Sequence, residues 1–140
     1  MNYSDLQLGE HEYWTTFLHS NQCYLGRMYF WLNRENVTDI CDAHPHELKE
    51  LFNLLKVYKR TLTDLFHPDL FNYCALGNTE RHLHVHLIPR YQYAKEYQEI
   101  LIEDKNWGDN YSPYDKSYLL EETIMKKVLN TIIESVEKSV

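Results

Sequence analysis

Three histidines at alternate positions are the residues of this sequence best placed to do chemistry. His82, His84 and His86 lie in the run RHLHVHLIPR, residues 81–90. Successive side chains of a β-strand point to opposite faces, so we expect the three imidazoles in a row on one face and the intervening apolar residues on the other. Such a row could bind a metal ion, act on phosphorus, or be an exposed strand face without chemistry.

The spacing of the row argues against a metal ion held by all three rings. Positions i and i+2 of a strand lie about 6.5–7 Å apart, so two neighbouring imidazoles can share one ion. Positions i and i+4 lie about 13 Å apart, so His82 and His86 cannot readily share an ion with His84. The neighbouring sequence has no Asp, Glu or Cys cluster to supply ligands, and we expect neither a metal nor another cofactor.

Phosphoryl chemistry suits the row better. An imidazole with one unprotonated nitrogen is a good nucleophile towards phosphorus near neutral pH, and its other nitrogen should donate to a backbone carbonyl. The preceding turn, Leu76-Gly77-Asn78-Thr79, adds an amide and a hydroxyl that can donate hydrogen bonds to phosphate oxygens. An ordinary β-turn with no ligand is the alternative for this segment.

Four strands are predicted around these residues. Residues 13–18, YWTTFL, and about 24–32 are rich in aromatic and β-branched side chains and predict an antiparallel hairpin. Gly26 inside the second strand indicates a bulge or the close approach of another group. Residues 71–76 and 81–89 predict the third and fourth strands, with a turn between them.

Two helices complete the prediction. The first spans residues 44–66, with Pro45 in its first turn and His67-Pro68 ending it. Residues 91–115 show no convincing period and are predicted to be a long loop, and Ser117 opens the second helix. The buried face of the first helix is predicted from its three- and four-residue spacing to comprise Leu48, Leu51, Phe52, Leu55, Tyr58, Leu62 and Leu65. The order β-β-α-β-β-α predicts an α+β fold, an antiparallel β-sheet with helices packed on one face.

Composition and charge narrow the class of partner. The 140 residues fit a single domain, and 44% hydrophobic with 25% charged residues is ordinary for a globular protein. The net charge is −7 and no run of basic residues occurs, which argues against long DNA or RNA. A single nucleotide stays possible, because two or three local cations or backbone amides can hold one phosphate.

Secretion and membrane insertion are not expected. The N-terminal residues lack the charged and apolar regions of a signal peptide, and no stretch approaches the roughly 18 apolar residues of a membrane helix. Cys23, Cys41 and Cys74 are odd in number and far apart, which fits small buried hydrophobic residues in a reducing compartment. We therefore expect a cytoplasmic protein.

The histidine motif resembles that of the histidine-triad (HIT) family. Residues 82–88 match that family's pattern His-φ-His-φ-His-φ-φ, where φ is apolar. Residues 71–78, FNYCALGN, resemble its penultimate strand and turn, and residues 21–27, NQCYLGR, resemble the end of the first hairpin in one branch. The resemblance is clearest over residues 10–95. Residues 96–140 are expected to add a loop and the C-terminal helix to one HIT-like domain spanning 1–140.

The resemblance implies a nucleotide hydrolase or nucleotidyl transferase that acts at the α-phosphate, through a covalent nucleotidyl-histidine, on a nucleoside phosphoramidate or dinucleoside polyphosphate. The expected nucleophile is His84. His86 would contact the phosphate or assist the leaving group, and His82 would support the site. Asn72, Asn78 and Thr79 would bind the substrate. The family also forms homodimers, so we expect one here.

Two segments depart from the family pattern. Leu25-Gly26-Arg27 stands where many members carry Pro-Gly-His, and His19-Ser20-Asn21 follows the first strand where most members place an acidic residue for the ribose. The base and the leaving group therefore stay open. A nucleotide-binding partner protein without turnover and a metal-dependent hydrolase remain as alternatives.

Overall fold

A computed structural model describes residues 1–138 and has a five-stranded antiparallel sheet at its centre. The strands are β1 (Gln7–Glu10), β2 (Trp14–Leu18), β3 (Met28–Leu32), β4 (Leu70–Cys74) and β5 (His84–Arg90). Their spatial order is β1-β2-β3-β5-β4, and every neighbouring pair is antiparallel.

The remaining elements are two helices, a small hairpin and two short 3-10 turns. The helices are α1 (Pro45–Phe66) and α2 (Glu122–Lys138), the hairpin is β6 (Lys95–Tyr97) with β7 (Ile100–Ile102), and the turns are Tyr3–Leu6 and Ile40–Asp42. The predicted α+β class, antiparallel sheet and helices on one face are confirmed. The predicted element order lacks β1, β6 and β7.

The second strand begins at Met28, four residues later than predicted. Residues 21–27 form a turn in which Gln22 Oε1 accepts from Gly26 N at 2.8 Å and Gln22 Nε2 donates to Arg27 O at 2.9 Å. Gly26 has a φ of +91°, and a Cβ added there would lie 3.0 Å from Leu62. The predicted close approach of another group at Gly26 is therefore confirmed, and its positive φ excludes a regular strand.

The histidine strand begins at His84, three residues later than predicted. The Leu83 amide donates to Val37 O at 2.8 Å, in the loop before α1, so that only its carbonyl bonds to β3, where it accepts from Leu32 N at 3.2 Å. His82 consequently lies in the irregular segment that leads into β5. The other end of the preceding turn also differs, because β4 covers 70–74 instead of 71–76.

Helix α1 follows its prediction closely, with one error on its face. The Glu47 carboxylate accepts from His44 N at 2.7 Å, which satisfies an amide at the helix start. The helix ends at Phe66, because His67 adopts a φ of +52° before Pro68. Phe52, predicted to be buried, is 60% exposed, since it lies about 100° around the helix from Leu51.

Helix α2 begins at Glu122, not at Ser117. Asp115 Oδ1 accepts from both the amide and the hydroxyl of Ser117, at 3.0 and 2.6 Å, and this turn holds the chain out of helical geometry. Leu120 is buried but precedes the helix.

Both helices share one core with a single face of the sheet. The sheet contributes Trp14, Met28, Phe30, Leu32, Val85 and Leu87, α1 contributes Leu51, Leu55, Tyr58, Leu62 and Phe66, and α2 contributes Met125, Val128, Leu129 and Ile132. The opposite face of the sheet is thus left for the histidines. Within residues 1–138, no helix is long and apolar enough to cross a bilayer.

Candidate functional site: an aromatic cavity with three histidines

The face of the sheet opposite the helices carries the histidines of β5 beside aromatic residues of β3. Trp31 lies opposite His84 and Tyr29 lies opposite His86 in the antiparallel register. Phe17 of β2 in turn lies opposite Tyr29, and their rings stack at 5.2 Å between centroids. Alternation along three adjacent strands therefore brings imidazoles and aromatic rings together.

These side chains line a cavity of about 550 Å³. This volume lies within the roughly 300–1,000 Å³ typical of small-molecule sites. Aromatic walls with a few polar groups suit a nucleoside base stacked on ring faces and a phosphate held beside imidazoles. The lining residues are Tyr3, Phe17, His19, Tyr29, Trp31, Glu80, His84 and His86.

His84 is held in one tautomer by the backbone. Its Nδ1 lies 2.7 Å from the carbonyl oxygen of His82, and a carbonyl can only accept, so Nδ1 carries the proton. In the neutral ring Nε2 then has a free lone pair, and within residues 1–138 it has no hydrogen-bonding partner. The predicted hydrogen bond from this ring to a backbone carbonyl is confirmed, and it leaves Nε2 available as a nucleophile.

His82 supports this arrangement from outside the cavity. Its Nε2 donates to Leu32 O at 2.6 Å, and its ring stacks on Trp31 at 4.3 Å between centroids. The same residue thus fixes its own position on β3 and supplies the carbonyl that holds His84. The structure does not place the His82 ring among the cavity-lining residues.

His86 and His19 form a pair of neutral imidazoles at the other end of the cavity. Their ring centroids lie 6.1 Å apart, and that of His86 lies 5.0 Å from His84. Burial, the Arg27 charge and His84 lower the pKa of His86 to about 4. Burial, Arg27 and His86 lower the pKa of His19 to about 3. Both rings are therefore neutral at pH 7. His19 Nδ1 accepts from Asn21 N at 3.0 Å, whereas His86 Nδ1 is buried without a hydrogen-bonding partner among residues 1–138.

The three predicted substrate-binding residues lie outside the cavity lining. Asn72 is on β4, where its Oδ1 accepts from Arg90 Nη1 at 2.8 Å. Asn78 and Thr79 are exposed in the turn after β4, and the next residue, Glu80, lines the cavity. Both side chains are thus exposed within two residues of the cavity lining, and neither forms a hydrogen bond with a residue between 1 and 138.

Several residues of the site are missing from the sequence-based prediction. Phe17, Tyr29 and Trp31 alternate with core residues, but only the strand register shows that they face the histidines. The sequence does point to His19, because this residue follows the first strand at the position where the resemblance implies a ribose-binding residue. Nothing in the sequence points to Tyr3, because its contact with Phe17 depends on a 3-10 turn before β1 that is not predicted.

The described residues do not form a metal centre. Between Met1 and Lys138, no group of three or more His, Cys, Asp or Glu side chains is arranged to hold an ion.

A model of the HIT domain family matches residues 7–93, more than half of the chain. The protein belongs to the HIT domain family. The matched region runs from the first strand to just beyond the histidine strand, and so contains every residue of the cavity except Tyr3. Among curated proteins, none matches this sequence.

Solved structures share the same fold at low sequence identity. A HIT protein from Sinorhizobium meliloti is 19% identical, with a TM-score of 0.78 over 93% of this chain and 88% of its own. A hypothetical histidine triad nucleotide-binding protein from Sulfolobus tokodaii is 20% identical, with a TM-score of 0.71 over 95% and 84%. The diadenosine triphosphate hydrolase of Plasmodium falciparum is 16% identical, with a TM-score of 0.64 over 95% and 77%.

Proposed function

We propose that this HIT protein hydrolyses or transfers a nucleotide at its α-phosphate, through a covalent bond between His84 and phosphorus. The observation that carries the proposal is the fixed tautomer of His84, whose Nδ1–H is bound to His82 O at 2.7 Å beside an aromatic cavity. A similar fold belongs to a diadenosine triphosphate hydrolase. The substrate class is a nucleoside phosphoramidate or a dinucleoside polyphosphate.

The reaction has two steps. The Nε2 lone pair of His84 forms a bond to phosphorus while the bond from phosphorus to the leaving group breaks, and the leaving group takes that electron pair and a proton from solvent water. Water, or another acceptor, then forms a bond to phosphorus and releases its proton to solvent, while the bond to Nε2 breaks and its electron pair returns to the ring. Because the pKa of His86 is about 4, its ring offers a hydrogen bond to the phosphate rather than a stored proton at pH 7.

The supporting residues have distinct roles in this proposal. His82 positions His84 through its carbonyl and its own bond to Leu32 O. Asn78 and Thr79 donate to phosphate oxygens from the turn. Asn72 binds substrate through its amide N–H groups, since its oxygen already accepts from Arg90.

The test is hydrolysis of adenosine 5′-phosphoramidate by the unmodified protein and by His84→Ala. We expect turnover to fall by more than about a thousandfold, because the nucleophile is lost. Binding of AMP should change by less than about tenfold, or 1.4 kcal/mol, because other groups hold the ground state. His46→Ala, which removes an exposed histidine of α1, is the matched control. Near-normal hydrolysis by His84→Ala would exclude this mechanism.

A further inference from the structure

Arg27 is a buried cation without an anionic or hydrogen-bonding partner among residues 1–138. It is 2% exposed, and its Nε and Nη1 reach neither solvent nor an acceptor. Its Cζ lies 5.4 Å and 4.6 Å from the ring centroids of Tyr111 and Tyr114. Cation–π contacts offset part of the desolvation cost of a guanidinium, but they leave its N–H donors unsatisfied.

Arg90 shows how the same fold satisfies a buried guanidinium elsewhere. Arg90 forms a double hydrogen bond with Asp104, at 2.7 and 3.1 Å, and also donates to Asn72 Oδ1. Two backbone carbonyls, those of Asn106 and Asp109, take its remaining donors. Every N–H donor group of Arg90 therefore has an acceptor, whereas Arg27 Nε and Nη1 have none and the guanidinium contacts only the Tyr111 and Tyr114 rings. The contrast indicates that Arg27 lacks a group that the described chain does not supply.

The position of Arg27 connects it to the active-site histidines. It immediately precedes β3, and its carbonyl accepts from His19 N at 3.0 Å. Its charge acts on both His19 and His86, which line the cavity. The two tyrosines that cover it belong to the segment 103–121, which has no helix or strand. Arg27 is thus joined to His19 by a backbone hydrogen bond and lies two residues before Tyr29, the register partner of His86.

We propose that Arg27 binds a second phosphate of the nucleotide substrate, distinct from the phosphate that His84 attacks. A guanidinium offers paired N–H donors in a planar fork that matches phosphate oxygens, and an anion is what an uncompensated buried cation requires. The ligand would take the place of the Tyr111 and Tyr114 rings. This inference rests on the proposed function. The second phosphate belongs either to a polyphosphate chain or to a phosphorylated ribose.

Calorimetric titration in the His84→Ala background tests the inference independently of turnover. The ligands are AMP, ADP and adenosine 3′,5′-bisphosphate, each titrated with Arg27 intact and with Arg27→Gln. We expect Arg27→Gln to weaken one of the two-phosphate ligands by at least tenfold and AMP by less than threefold. If Arg27→Gln weakens ADP binding, the second phosphate belongs to a polyphosphate chain. If it weakens binding of the 3′,5′-bisphosphate, the second phosphate is carried on the ribose. Equal effects on all three ligands, or no effect, would overturn the inference.

A measurement on the unmodified protein covers the case in which Arg27→Gln does not fold. The Nε–H resonance of Arg27, assigned by its disappearance in Arg27→Lys, should shift and saturate as inorganic pyrophosphate is added. The Arg90 Nε–H, bound to Asp104, is the internal control and should stay in place. A stationary Arg27 resonance at saturating pyrophosphate would overturn the inference. Failure of the proposed function would instead appear as absent hydrolysis with pyrophosphate binding retained.

Discussion

Backbone carbonyls, rather than carboxylates, orient His82 and His84. His84 is bound to His82 O, and His82 is bound to Leu32 O. A carbonyl fixes a tautomer as firmly as a carboxylate does, but it adds no negative charge beside the anionic substrate. His19 and His86 are neutral at pH 7 as well, because burial and the Arg27 charge lower the pKa of both rings.

The exposed turn before the histidines is expected to hold the phosphate. Asn78→Ala should lower turnover by about a hundredfold, because a donor aimed at charge that grows in the transition state is worth about 2.7–4 kcal/mol. Steady-state kinetics with a phosphoramidate substrate measures this. Asn53→Ala, an exposed asparagine of α1, is the control and should leave turnover unchanged. A purely structural turn would instead show a lower melting temperature with normal turnover per folded molecule.

The residues best predicted from the sequence are those whose chemistry is local. His84 has an available nitrogen because side chains alternate along its strand and because the carbonyl of His82, two residues earlier, binds its Nδ1. Both features lie within one short segment of the sequence. His19, Trp31 and Arg27 depend on long-range pairing of β3 with β2 and β5, which the sequence does not specify.

At the scale of elements, the β6–β7 hairpin is absent from the sequence-based prediction because its turn lacks the residues that usually mark a turn. β6 and β7 are joined by Gln98 and Glu99, whose φ values are +51° and +65°. Such a two-residue turn normally carries Asn-Gly or Asp-Gly, because only these residues adopt positive φ at low cost. The sequence Tyr97-Gln98-Glu99-Ile100 gives no such signal. The helix α1, with proline, capping acid and periodic face all in agreement, was predicted almost to the residue.

Relieving that turn should stabilise the protein. Glu99→Gly removes a side chain from a left-handed position that costs a non-glycine residue roughly 1–2 kcal/mol, which we expect to raise the melting temperature by a few degrees. Thermal unfolding followed by circular dichroism measures it. Glu96→Gly, in β6 of the same hairpin, is the matched control and should lower the melting temperature, because glycine weakens a strand. A lower melting temperature for both variants would contradict the strained-turn interpretation.

At the scale of the whole molecule, one edge of the sheet is left unpaired beside an apolar surface. β4 is an edge strand, and Leu70, Tyr73 and Leu76 on and after it are exposed. Tyr73 lines a groove together with exposed Phe52 of α1. An unpaired edge with apolar side chains is a template for another strand. We propose that β4 and α1 pack against the same elements of a second copy and form the homodimer.

Light scattering tests this interface. The unmodified protein should have twice the 17.0 kDa mass of one chain, and Tyr73→Lys should halve the measured mass, because a charge would be buried between the two copies. Leu101→Lys is the control, since Leu101 is 66% exposed on β7, which belongs to a different sheet from β4. A mass near 17 kDa for the unmodified protein at micromolar concentration would contradict a stable dimer.

The central claim is that His84 forms the covalent bond to phosphorus, and mapping the adduct tests it most directly. The protein is mixed with adenosine 5′-phosphoramidate, quenched at alkaline pH within the first turnover, digested with trypsin and analysed by fragmentation mass spectrometry. Cleavage after Arg81 and Arg90 releases residues 82–90 with all three histidines, so the fragment ions must distinguish them. We predict an adenylyl group on His84 and none on His82 or His86. An adduct on either neighbour, or full turnover with His84 unmodified throughout, would contradict the mechanism.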